Sequence, residues 1–142
     1  MDASVWVAAA GSEFGGSAEI LGFGTIRKCT ILASPRVLQE AEGAISKKFG
    51  QDALARYYQL LADAGVVRVD NSTADENVVW QRIITEKDRH VLAAAFRAEA
   101  DIVVTLDKQH LLTNRVRYGF PILVLNTKQA IDKLESEITE SN

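Results

Sequence analysis

The run Asp101-Ile102-Val103-Val104-Thr105-Leu106-Asp107-Lys108 decides how this chain folds. A brief apolar core that ends in a hydroxyl, an acid and a turn is the pattern of a buried parallel strand with polar groups at its carboxyl end. In open α/β sheets that end of the strands is where sites form. Asp101 starts the strand and Asp107 follows it, so the two belong at opposite edges of the sheet. Asp101 is read as structural and Asp107 as a site candidate.

On the amino-terminal side, Asp88 opens a helix expected over 88–99, carried by Val91, Leu92, Ala95 and Phe96. Residues 78–84 are open between strand and short helix, and the polar residues 71–77 read as a loop. A strand is expected at 66–69. Before it, Leu54, Tyr57, Tyr58 and Leu61 show helical spacing over 52–64, with Gly65 as the stop. Ser34-Pro35 is a helix start, because serine caps and proline is tolerated in the first turn. That helix runs to Phe49 and stops at Gly50. A strand is expected at 29–33, with short helices at 17–22 and 4–10. Beyond Asp107 come a turn or short helix at 109–112, a strand at 122–125 and a helix at 127–137. The alternation predicts a three-layer α/β/α sandwich, with a short parallel sheet of four to five strands covered on both faces. Residues 1–142 read as one domain.

Bulk composition fits that reading. The 142 residues are 47% hydrophobic and 25% charged, with two prolines and nine glycines, which argues against disorder or a long linker. A net charge of −3 gives no global attraction to nucleic acid, so such binding needs a local basic patch. The single cysteine, Cys29, excludes an internal disulfide and a cysteine-rich metal site. No apolar run approaches the roughly 18 residues of a membrane span. A cytoplasmic home is expected.

Four acids fall at the seams of the expected elements: Asp2, Glu40, Asp88 and Asp107. Each alone has a bland explanation. Asp88 in a first helical turn opposes the macrodipole, Glu40 is a solvated helix charge, and Asp107 is a common turn starter. Jointly, parallel topology would bring strand ends and helix starts to one rim. Acids gathered there repel one another unless cations or protons intervene, which points to a divalent metal and phosphoryl chemistry.

Four segments in order resemble the PIN domain, a family of small metal-dependent nucleases, and look closest to its VapC-like branch. They are Asp2-Ala3-Ser4-Val5-Trp6-Val7, Ser34-Pro35-Arg36-Val37-Leu38-Gln39-Glu40, Asp88-Arg89-His90-Val91-Leu92-Ala93, and Asp101 to Lys108 with its Thr105-Leu106-Asp107. The resemblance implies a metal-ligating, catalytic quartet of Asp2, Glu40, Asp88 and Asp107, with Ser4 and Thr105 as supporting hydroxyls. Helical geometry leaves Glu40 and Glu42 open, and position after Ser-Pro favours Glu40. Oxygen-only ligands favour Mg²⁺ or Mn²⁺ over zinc, and such ions activate water and neutralise the leaving oxygen. The resemblance also implies an RNA substrate, a homodimer paired through 52–64, and a partner antitoxin if the chain is the toxin of a pair. One departure stands out. Family members carry an apolar strand before the first acid, in mid-sheet, whereas only Met1 precedes Asp2, so a gap is expected there.

Among the cations, Lys108, Arg115 and Arg117 are nearest the acids in sequence and are the candidates for nucleic-acid backbone contacts. His90, two residues after Asp88, and His110 are read as surface or satisfied histidines. Cys29 is read as a small buried hydrophobe, and Trp6, Trp80, Tyr57 and Tyr58 as core or interface. Two rival readings remain: a catalytically impaired PIN-like module that binds RNA or a partner protein, and a phospho-acceptor signalling domain. The second is disfavoured, because the acids fall on the wrong strands and no late Lys-Pro is present.

Overall fold

The computed structural model describes residues 1–141, with side chains to 139. Its first helix, α1 (Ala3–Gly11), is apolar almost throughout, and Val5, Trp6, Ala9 and Ala10 are all buried. It lies in contact with α2 (Gly16–Thr25), α3 (Pro35–Phe49) and α4 (Gln51–Asp63). The start of α3 is fixed as its sequence dictates: Ser34 Oγ accepts from Val37 N at 3.3 Å, and Pro35 fills the first turn. Its stripe Val37, Leu38, Ala41 and Ile45 is buried in the main core with Trp6 and Tyr57. Gly50, at φ 84°, supplies the left-handed turn between α3 and α4. Tyr57, fully buried on α4, packs edge-on to Trp6 and donates from its hydroxyl to Leu38 O at 3.1 Å.

The molecule is α/β, but its strands form two separate parallel pairs rather than one sheet of four to five strands. Strand β1 (Leu32–Ala33) pairs with β2 (Val67–Arg68), and β3 (Ile102–Val104) pairs with β4 (Leu123–Leu125). Between them, Met1 N donates to Leu32 O at 2.8 Å and Asp2 N to Val104 O at 3.0 Å. These two residues span the expected mid-sheet gap at its carboxyl end. The rest of it is a cleft of about 620 Å³ lined by residues of β1 and β3, Ala94, Ala98, Ala130 and Leu134. Strands expected at 29–33 and 66–69 shrink to two residues each, since pairing on one side only gives little reason to extend.

Two helices were not anticipated. Residues 71–77 were expected as loop, yet α5 (Ala74–Val78) forms there under a capping box, Thr73 Oγ1 accepting from Glu76 N and Glu76 Oε1 from Thr73 N. Past Asp107, α7 (Asn114–Gly119) is started by Thr113, which accepts from Val116 N at 3.2 Å, and is held by fully buried Val116. Between them, a 3-10 turn (Glu86–Asp88) leads into α6 (Arg89–Arg97), whose His90, Val91, Leu92, Ala93 and Ala94 are buried. Helix α8 (Thr127–Ser141) closes the chain over α2, β3 and β4. No helix of the described residues is long and apolar enough to cross a membrane.

Candidate metal centre

Asp2 follows Met1 across the carboxyl end of the gap and is buried. Its Oδ2 accepts from Ser4 Oγ and from Thr105 Oγ1, each at 2.8 Å. Ser4 Oγ in turn takes Leu106 N at 3.0 Å, and Thr105 Oγ1 takes Asp107 N at 3.0 Å. The two hydroxyls thus clasp Asp2 on one side and the backbone leaving β3 on the other. Asp107 then folds the chain into a tight turn: its Oδ1 accepts from Gln109 N and His110 N, and its carbonyl from Leu112 N at 2.8 Å. Fully buried Leu111 anchors that turn in the core.

The turn delivers a residue that sequence reasoning set aside. His110 Nδ1 lies 3.3 Å from Asp107 Oδ2 and 3.6 Å from Asp88 Oδ2. One ligand atom from each of Asp88, Asp107 and His110 falls within 4.8 Å of the others. Asp88, mostly buried at the end of the 3-10 turn, carries an Oδ2 with no hydrogen-bond partner. Burial pushes its carboxyl up, aided by Asp107 and Asp2 and opposed by Lys87 and His110. An orphaned, buried carboxylate oxygen facing a second acid is a seat suited to a cation. The donors fit a divalent metal.

Glu40 stands on α3 beside this group. Burial raises its carboxyl, Arg36 lowers it, and Asp2 and Asp88 raise it further, so it lies within electrostatic reach of both acids. Glu42 is turned towards α4, where its carboxylate pushes the Tyr58 hydroxyl pKa up. Glu40 Oε1 also lies 3.6 Å from Arg36 Nε and 3.0 Å from His90 Nε2. His90 is neither a surface residue nor a satisfied one. Its ring is buried and, despite the short approach, neither nitrogen has a well-aligned hydrogen-bond partner. Burial, with Arg36 adding to it, pushes its pKa down to about 4, so the ring is neutral.

Of the expected backbone-binding cations, Lys108 and Arg115 are exposed. Arg117 donates to Val124 O at 3.3 Å and to Gln129 Oε1 at 3.2 Å, so its fork is partly engaged in bracing β4. A cleft beside Glu40 and Asp88 is lined by Arg36, Lys87 and Arg89, with Glu86 among them. None of these three is among the cations expected from sequence, although each lies within four residues of a proposed ligand. Asp101 is exposed before β3, at the end of the strand away from Asp107.

In a parallel α/β frame, Asp88 of the 3-10 turn and Asp107 past β3 meet at His110, while Asp2 and Glu40 lie outside that group but within electrostatic reach of Asp88, an acidic site of a kind suited to a cation. The family model for the PIN domain matches residues 1–109, and the chain belongs to that family, whose members are generally metal-dependent nucleases. No curated protein and no solved structure matches the chain.

Proposed function

We propose that this chain is a metal-dependent ribonuclease in which Asp2, Glu40, Asp88 and Asp107 hold Mg²⁺ or Mn²⁺ and direct hydrolysis of an RNA phosphodiester. The observation that carries the reading is the meeting of Asp88 and Asp107 around an unpartnered carboxylate oxygen, with their ligand atoms inside 4.8 Å together with His110. When bound, a divalent cation activates water and neutralises charge on the leaving oxygen. The chain's own part is positioning. Ser4 and Thr105 fix Asp2 through its Oδ2, and the Asp107 turn aims Oδ2 while Oδ1 is tied to backbone. Glu40 offers a carboxylate kept half-open to solvent. Arg36, Lys87 and Arg89, which line one cleft, supply cations for the substrate's phosphates together with Lys108, Arg115 and Arg117.

The test is an Mn²⁺ titration of cleavage on single-stranded and structured RNA, run beside Asp107→Asn. Cleavage that rises with Mn²⁺ and falls at least about 100-fold in Asp107→Asn is expected, because that ligand's charge is gone while its shape remains. Metal-independent cleavage, or equal rates in the two proteins, refutes the reading. A second reading, a PIN-like module that binds RNA or a partner protein without cutting, is favoured by the divided sheet. RNA retention without cleavage at saturating Mn²⁺ selects it. A toxin role, an antitoxin partner and a homodimer belong to the first reading through the family resemblance.

A further inference from the structure

We propose that His110 Nδ1 is itself a ligand of the bound ion, and that this imidazole shifts the site's preference from Mg²⁺ towards Mn²⁺. The inference rests on the metal-centre reading above and goes beyond it by naming a nitrogen donor and a selectivity. Two donors held about 2.1 Å from one octahedral ion lie about 3 Å apart when adjacent and about 4.2 Å when opposite. The separations of 3.3 Å from Nδ1 to Asp107 Oδ2 and 3.6 Å to Asp88 Oδ2 fall inside that range.

The turn that carries the ring is also held in place. The His110 backbone amide donates to Asp107 Oδ1 at 3.0 Å, the ring Nδ1 lies 3.3 Å from Asp107 Oδ2, and the next residue, Leu111, is wholly buried. A donor on so fixed a backbone loses less freedom when it binds. Carboxylates alone serve Mg²⁺ and Mn²⁺ alike, whereas an imidazole nitrogen is a ligand for the divalent transition ions, of which Mn²⁺ is the weakest binder, and adds nothing comparable for Mg²⁺.

Pulsed EPR of Mn²⁺ bound to the full chain reads the contact directly. A ¹⁴N modulation from a coordinated imidazole is expected in the native protein and is expected to vanish in His110→Ala. Titrations should show His110→Ala weakening Mn²⁺ by about tenfold or more and Mg²⁺ by less than about threefold. Three results overturn the inference. Mn²⁺ bound through Asp107 but without ¹⁴N modulation removes the nitrogen ligand while leaving the nuclease reading intact. Equal tightening of both ions in His110→Ala makes His110 a mere counter-cation. Mn²⁺ binding that is absent, or indifferent to Asp107→Asn, removes the metal centre and the inference together. Because the ¹⁴N signal is read in the native chain, a poorly folded variant does not blunt the test.

Discussion

His90 sits with a side chain only 3% exposed, 3.0 Å from a Glu40 oxygen, and without an aligned bond at either nitrogen. Burial keeps it neutral, with a pKa near 4 against an ordinary value of 6.5. The sign of the pH effect follows. Between pH 6.5 and 4 the unfolded chain binds a proton at this ring and the folded chain does not, so stability is lost as the solution is acidified through that window. The full shift corresponds to about 3 kcal/mol. Asp88 and Glu40 act in the opposite sense, because burial raises both and the folded state then binds protons first. Comparison with His90→Gln isolates the ring, as the variant keeps the acids and an amide near the Nε2 position. The metal-free native protein should therefore lose more stability than His90→Gln between pH 6.5 and 4.5 in urea titrations. Parallel pH curves for the two proteins would show that the ring titrates normally. The sequence hid this environment because residue spacing alone cannot say that α3 and α6 bring Glu40 against the ring. For the same reason the sequence marks His110 only as a surface or satisfied histidine: its approach to Asp88 joins the turn after β3 to another element.

At the scale of elements, what could be read from the chain was what local chemistry decides. The helix from Ser34-Pro35 to Phe49 is observed with those bounds, because its cap, its proline and its glycine stop are all written in sequence. Helices α5 and α7 were missed because each is short, with at most one buried residue, so there is no apolar stripe to read and only the caps declare them. These two kinds of helix respond differently to loss of a cap. Ser34→Ala removes a buried acceptor from the start of α3, which carries Glu40 and packs along α1, so about 1 kcal/mol of global stability should be lost. Thr73→Ala removes an exposed cap from α5, none of whose residues is buried, and should loosen that turn locally. Urea midpoints distinguish the two, and an equal fall in both would show that α5 unfolds only with the whole domain.

Across the whole molecule, parallel pairing and the place of Asp107 just past a strand were legible, whereas the division of the sheet was not. Pattern reading counts apolar runs and cannot tell whether each finds two neighbours. The hydrogen bonds settle the facing of each strand. Val67 N and Val69 N bond Ile31 O and Ala33 O, so the alternate residue Leu32 faces the cleft, where its carbonyl takes Met1 N. Thr105 N bonds Leu125 O, while Val104 turns its carbonyl to Asp2 N. The amides of Leu32 and Val104 therefore point into the cleft of about 620 Å³, and those of Ala33, Val103 and Thr105 point into a paired ladder. Amide hydrogen exchange followed residue by residue should find Leu32 and Val104 exchanging at least about tenfold faster than their paired neighbours, since local access rather than global unfolding governs them. Uniform protection along β1 and β3 would mean that the two pairs close into one sheet in solution, with the cleft-facing amides bonded across it.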